Sequence, residues 1–144
     1  MILRAAEIVN GLYLCDLHAI TNKEFTAKID VFLSVCKTSP EEWNMFVGPI
    51  QDRMIVVESI SRDYAKLLRT MDACLQKSKS IAIFCETGEQ RASAMVAAYL
   101  IFHAKLDVDT TVKIVHSKFK HAFPNGCKFI SLLHVLRTQM PALV

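Results

Sequence analysis

The sequence predicts an α/β domain with a central, mostly parallel sheet of about four to five short strands flanked by helices. Three observations carry that expectation. Short β-branched and aromatic runs, of which "IDVFLSV" at 29–35 is the clearest, have strand length and buried-strand composition. They alternate with longer segments whose apolar residues recur at helical spacing, the pattern of a layered sheet-and-helix fold. The composition is 52% hydrophobic with only four Gly and four Pro, which excludes collagenous and low-complexity chains and leaves ample apolar surface to bury. At 144 residues the chain reads as one domain, 1–144, able to bury roughly 70% of the surface its unfolded form exposes.

Taken in order, Gly11 supplies a turn into "LYL" at 12–14, a short extended segment. Asp16 to Ala27 is polar, with Leu17, Ile20 and Phe25 spaced for a short helix entered after Asp16. Ile29–Val35 follows as a buried strand, and residues 37–48, with Pro40, Trp43 and Gly48, read as an irregular connection. Met54–Val57 is a further short strand. Tyr64, Leu67, Leu68, Met71, Cys74 and Leu75 then define one face of an amphipathic helix over 61–75. After a polar break at 76–80, Ile81–Phe84 is a strand and Arg91–Lys105 an Ala-rich helix. Val108–Phe119 is expected to be helical with Asp109 or Thr110 near its N-cap. "FPNG" at 123–126 turns the chain into a last helix, Lys128–Gln139.

A net charge of +3 gives no strongly basic face, so no nucleic-acid partner is expected, although a compact anion needs only local donors. The start, "MILRAAEIVNGLYL", lacks the continuous apolar core and cleavage site of a signal peptide. The longest apolar stretch, 92–104, is too short to span a bilayer, and no membrane association is expected. The five cysteines (15, 36, 74, 85 and 127) are widely spaced, without a CxxC pair or a Cys/His cluster at zinc-ligand spacing, so no metal or other cofactor is expected. The expected setting is the reducing cytoplasm, with the nucleus also open.

One cysteine stands apart. In "SIAIFCETGEQRASAMVAAYLI" an apolar strand ends at Phe84, Cys85 follows, and a helix begins at Arg91. A loop between a strand end and a helix N-terminus can turn its N–H groups towards one point, and with the helix dipole they form an anion site. The same field stabilises a thiolate, making Cys85 a nucleophile at neutral pH. The planar fork of Arg91 matches two phosphate oxygens, and Gly88 lets the loop turn with its amide exposed. The alternative reading of the same residues is a packing cysteine followed by a tight turn.

This segment resembles the Cys-x5-Arg signature of cysteine-dependent protein phosphatases, and the whole chain is similar to a dual-specificity phosphatase domain. "IVNGLYLC" and "IDVFLSVC" resemble that family's first two strands, "AYLI" at 98–101 its helix after the signature, and "FPNGCKF" at 123–129 its Pro-Asn turn and closing helix. The resemblance implies attack of the Cys85 thiolate on phosphorus and a phosphocysteine intermediate. It implies that Arg91 and the amides of Glu86, Thr87, Gly88, Glu89, Gln90 and Arg91 bind the phosphoryl oxygens. A carboxylic acid on another loop would protonate the leaving group; Glu58, in "MIVVESISRDYAKLL", falls where the family has Asp, with Asp52 and Asp63 as weaker candidates. The implied substrate is a phosphorylated protein, carrying phosphotyrosine and also phosphoserine or phosphothreonine.

Several residues depart from the family pattern, all at the chemistry. Phe84 stands where the family has His, Ala92 where it has Ser or Thr to bond the sulfur, and Glu86 and Glu89 add negative charge to the phosphate loop. The alternative function is therefore a catalytically weak or inactive pseudophosphatase that binds phosphoproteins. A rhodanese-like sulfur carrier is disfavoured, because the C-terminal helices match the phosphatase pattern. Cys36 and Cys74 read as core, Cys127 as partly exposed, and the lysines at 113, 118, 120 and 128 as a solvated helix face. His103, His116, His121 and His134 stand at no ligand spacing.

Overall fold

The computed structural model describes residues 4–35, 48–57, 60–86, 91–123 and 129–139. Its centre is a five-stranded sheet in the order β1-β2-β5-β3-β4, built from β1 (Ala5–Val9), β2 (Leu12–Asp16), β3 (Val31–Ser34), β4 (Met54–Val56) and β5 (Ile81–Cys85). β1 and β2 form an antiparallel hairpin; the β2–β5, β5–β3 and β3–β4 pairs are all parallel. The helices are α1 (Lys23–Ala27), α2 (Ile60–Gln76), α3 (Arg91–Ala104), α4 (Val108–Lys118) and α5 (Phe129–Gln139). The α/β architecture thus matches the sequence expectation, with one antiparallel edge.

β1 is the strand that the sequence left undefined. "AAEIV" has only Ile8 buried, so its apolar pattern is too sparse to mark it. Its pairing with β2 depends on Gly11, which sits at φ 88° and donates its N–H to Glu7 Oε2 at 3.0 Å. A side chain there would also bring a Cβ within 3.1 Å of Leu75 Cδ2. Glycine meets the positive φ without strain and leaves Leu75 its room.

The expected single helix after Asp16 is divided in two. Asp16 caps a tight helical turn, Leu17–Thr21, accepting from the Ala19 N–H, and Asn22 then caps α1 by accepting from the Phe25 N–H. Two capping side chains six residues apart satisfy two sets of orphan donors, so the chain starts twice rather than continuing one helix. The α4 cap is likewise Asp107, not Asp109 or Thr110: its Oδ1 accepts from the Thr110 N–H at 2.7 Å. Asp109 lies inside the first turn instead.

The sheet's central strand β5 is buried throughout, and α3 packs across it. Every residue of α3 from Ala92 to Ile101 is buried, because β2, β5, α2, α4 and α5 all press on it. A helix enclosed on all sides must be apolar all round, and its alanines let neighbours approach closely. At the amino end of the parallel strands, Asp30 and Ser80 tie the approaches to β3 and β5 through Ser80 N–H to Asp30 Oδ2 (2.9 Å) and Asp30 N–H to Ser80 Oγ (3.0 Å). This leaves the carboxyl ends of β2, β5 and β3 as the edge where a ligand crevice forms in such sheets.

Candidate active site

Cys85 is the last residue of β5 and 6% exposed. The backbone around it is fixed from both neighbouring strands: the Val35 N–H donates to Phe84 O at 3.0 Å, and the Leu17 N–H to Glu86 O at 3.2 Å. The cysteine therefore sits on a rigid strand end, held before the chain leaves the sheet. α3 opens with half-buried Arg91 and runs for 14 residues, so the positive end of its dipole lies at the return of the same connection. Thr87, Gly88, Glu89 and Gln90, the middle of the expected amide cradle, lie outside the described residues. So does Glu58. Glu86 is exposed at the start of the connection.

Of the two weaker acid candidates, Asp52 is exposed on the helical turn before β4. Asp63 lies in the first turn of α2, ion-paired with Arg62 at 3.3 Å. The departures from the family pattern have structural consequences. Phe84 and Ala92 are both fully buried, so the sites of the family's His and Ser or Thr are packed apolar positions. Truncating a core Phe of this kind costs about 3–5 kcal/mol. Ala92 has no hydroxyl to offer a sulfur. Ser93, one position on, is fully buried on α3.

Sequence reasoning missed Asp16 as part of this neighbourhood. Asp16 is 3% exposed and is the register partner of Cys85 across the β2–β5 pair. Parallel partners project to the same face of a sheet. Its Oδ1 accepts from the Ala19 N–H at 3.0 Å and its own N–H donates to Arg4 O at 3.1 Å. The capping role was visible in "LYLCD"; the adjacency to Cys85 depends on strand register and was not.

The other thiols differ in setting. Cys15 is buried within β2, and Cys74 is half-buried on α2, where burial pushes its thiol up despite Lys79 and Lys77 nearby. A raised pKa makes a poorer nucleophile at neutral pH. Cys36 and Cys127 lie outside the described residues. The histidines serve local packing: His103 stacks on Tyr99 beside Asp72, and His116 Nδ1 lies 2.9 Å from Ala122 O. Among the described residues no Cys, His, Asp or Glu group is arranged to hold a metal, and no helix is long and apolar enough to cross a membrane.

A buried cysteine thus ends a central parallel strand, and six residues on a helix begins on an arginine. The family model for the catalytic domain of dual specificity phosphatases matches residues 12–139, and the chain belongs to that family. Human DUSP28 has the same fold, with a TM-score of 0.82 at 17% identity, covering 98% of this chain and 97% of its own. A mouse putative dual specificity phosphatase, solved with zinc tungstate, aligns at TM-score 0.79 and 20% identity over 99% of this chain and 93% of its own. The human tyrosine phosphatase-like serine/threonine/tyrosine-interacting protein aligns at TM-score 0.75 and 20% identity, over 93% and 95% of the two chains. No curated protein sequence matches significantly.

Proposed function

We propose that the chain is a cysteine-dependent phosphatase acting on phosphotyrosine, and on phosphoserine and phosphothreonine, in phosphorylated proteins. The observation that carries this reading is Cys85 at the buried carboxyl end of β5 with α3 starting at Arg91. In the first step the Cys85 thiolate forms a bond to phosphorus while the bond from phosphorus to the substrate oxygen breaks. Glu58 gives its proton to the departing phenolate or alkoxide. Arg91 and the amides of residues 86–91 hold the three equatorial oxygens. In the second step water attacks phosphorus, its proton passes to the Glu58 carboxylate, and the thiolate leaves with inorganic phosphate released. A cytoplasmic location belongs to the same proposal, since it keeps the thiol reduced.

The fully buried Ala92 favours a second reading. Without a hydroxyl to stabilise the leaving thiolate, the second step slows, and in the limit the domain binds phosphoproteins rather than turning them over. The neighbour named as a phosphatase-like interacting protein shares this fold. Hydrolysis of a generic aryl phosphate by wild type, Cys85→Ser and Arg91→Ala separates the readings. The phosphatase reading expects Arg91→Ala to lose about 10²–10³-fold. Equal rates for all three proteins overturn it.

A further inference from the structure

Among the described residues, four large apolar side chains are notably exposed: Val9, Ile55, Val56 and Val135. Two of them are consecutive on β4, at 39% and 50% exposure, and β4 is an edge strand whose one strand neighbour among the described residues is β3. Sheet edges are normally blunted by short length, charge, proline or a covering element, and three-residue β4 has the first of these. The opposite edge, β1, is packed against α4. β4 reads Met-Ile-Val and carries no charge at all. Beside it lies a groove of about 350 Å³, with Ile55, Val56 and Val57 on one side and Asp63, Lys66 and Thr70 among its residues on α2.

The charge on that helix face is one-sided. Arg62, Lys66 and Arg69 fall on one stripe at helical spacing, all exposed; Arg62, paired with Asp63, and Lys66 line the groove, and Arg69 continues the stripe beyond it along α2. Lys66 and Arg69 make no ion pair among the described residues. The groove also lies near the active-site end of the sheet. Ser34 is the register partner of both Phe84 and Val56, which places the end of β4 level with Phe84, one residue before Cys85 and two strands or roughly 10 Å away.

We infer that this groove docks an extended, acidic segment of a polypeptide as an added strand on β4. On the proposed function, on which this part of the inference rests, that segment flanks the phosphorylated residue. Main-chain hydrogen bonds to the edge supply affinity; Ile55 and Val56 project to opposite faces, so apolar side chains on one face of the added strand cover one of them while carboxylates on the other face reach Lys66 and Arg69. A second copy of this chain fits less well: pairing two β4 edges about a two-fold axis brings the same cationic stripe against itself, and the whole chain carries +3.

The probe is a dye-labelled, unphosphorylated peptide alternating Glu and Val, titrated with the full chain by fluorescence anisotropy. Binding should weaken with salt and fall about tenfold in the double variant Lys66→Glu with Arg69→Glu, while Lys66→Arg retains it. The double variant should keep wild-type hydrolysis of an aryl phosphate but lose about tenfold in kcat/KM for a phosphotyrosyl peptide with acidic flanks. Binding that ignores the charge reversal, or equal binding of a Lys/Val peptide, overturns the inference. So does a concentration-dependent dimer that Ile55→Lys dissociates. Charge-dependent binding by a chain that hydrolyses no aryl phosphate supports the groove and overturns only the catalytic reading beneath it.

Discussion

Cys15 and Cys85 are both buried thiols on adjacent strands of one sheet, yet they occupy different chemical worlds. Cys15 lies one residue short of the end of β2, in register with Phe84, and its chain continues into a capped turn. Cys85 ends β5, and its chain departs towards the N-terminus of α3. Side chains alternate across a strand, so the two thiols project to opposite faces. Burial alone makes a cysteine a small hydrophobe. The proposed function makes Cys85 the nucleophile because it ends its strand ahead of the helix that begins at Arg91.

The comparison breaks most visibly under paired substitution. Cys85→Ser should abolish aryl-phosphate hydrolysis by at least about 10⁴-fold with the melting transition little changed. Cys15→Ser should leave kcat unchanged but cost about 1–3 kcal/mol of unfolding free energy in urea, because a hydroxyl replaces a thiol in the sheet interior. A reversal of the two outcomes would mean that the nucleophile had been assigned to the wrong strand. Glu58→Gln should lower the rate about 10²-fold for substrates with poor leaving groups and much less for good ones, read from a series of aryl phosphates. A uniform loss across the series would remove Glu58 from the role of acid.

Ala92→Ser should raise turnover several-fold by supplying the hydroxyl that the family carries at this position, measured as a diminished pre-steady-state burst relative to the steady rate. The smallest effect concerns the wall behind the site. Tyr99 on α3 donates to Asp72 Oδ1 on α2 at 3.0 Å, and burial, then that hydrogen bond, push its pKa well above the ordinary 10.0. The neutral phenol is favoured in the folded state, so its contribution is complete below pH 10.0 and declines as pH rises towards the folded value. Urea midpoints should therefore fall above about pH 10 in wild type and fall less in Tyr99→Phe.

Local sequence made the heart of the molecule legible. "IAIF" read as a buried strand, the Ala-rich run from Arg91 as a helix, and the cysteine between them was conspicuous by position. What stayed hidden depended on pairs distant in the chain. Asp16 is 69 residues before Cys85, and only the register of β2 on β5 brings them together. "MIVV" announced a strand but not that β4 would be an edge with Ile55 and Val56 exposed, since strand order is a tertiary property. The cap at Asp107 was misassigned because apolar periodicity marks where a helix faces the core, not where its first N–H groups find an acceptor.

The central claim is that Cys85 attacks phosphorus. Rapid acid quenching during turnover of an aryl phosphate, followed by peptide mass spectrometry, tests it directly. The account predicts a phosphoryl adduct on the peptide that contains Cys85, accumulating because Ala92 slows its breakdown. Turnover with no adduct there, or an adduct on the peptide that contains Cys15, would contradict it.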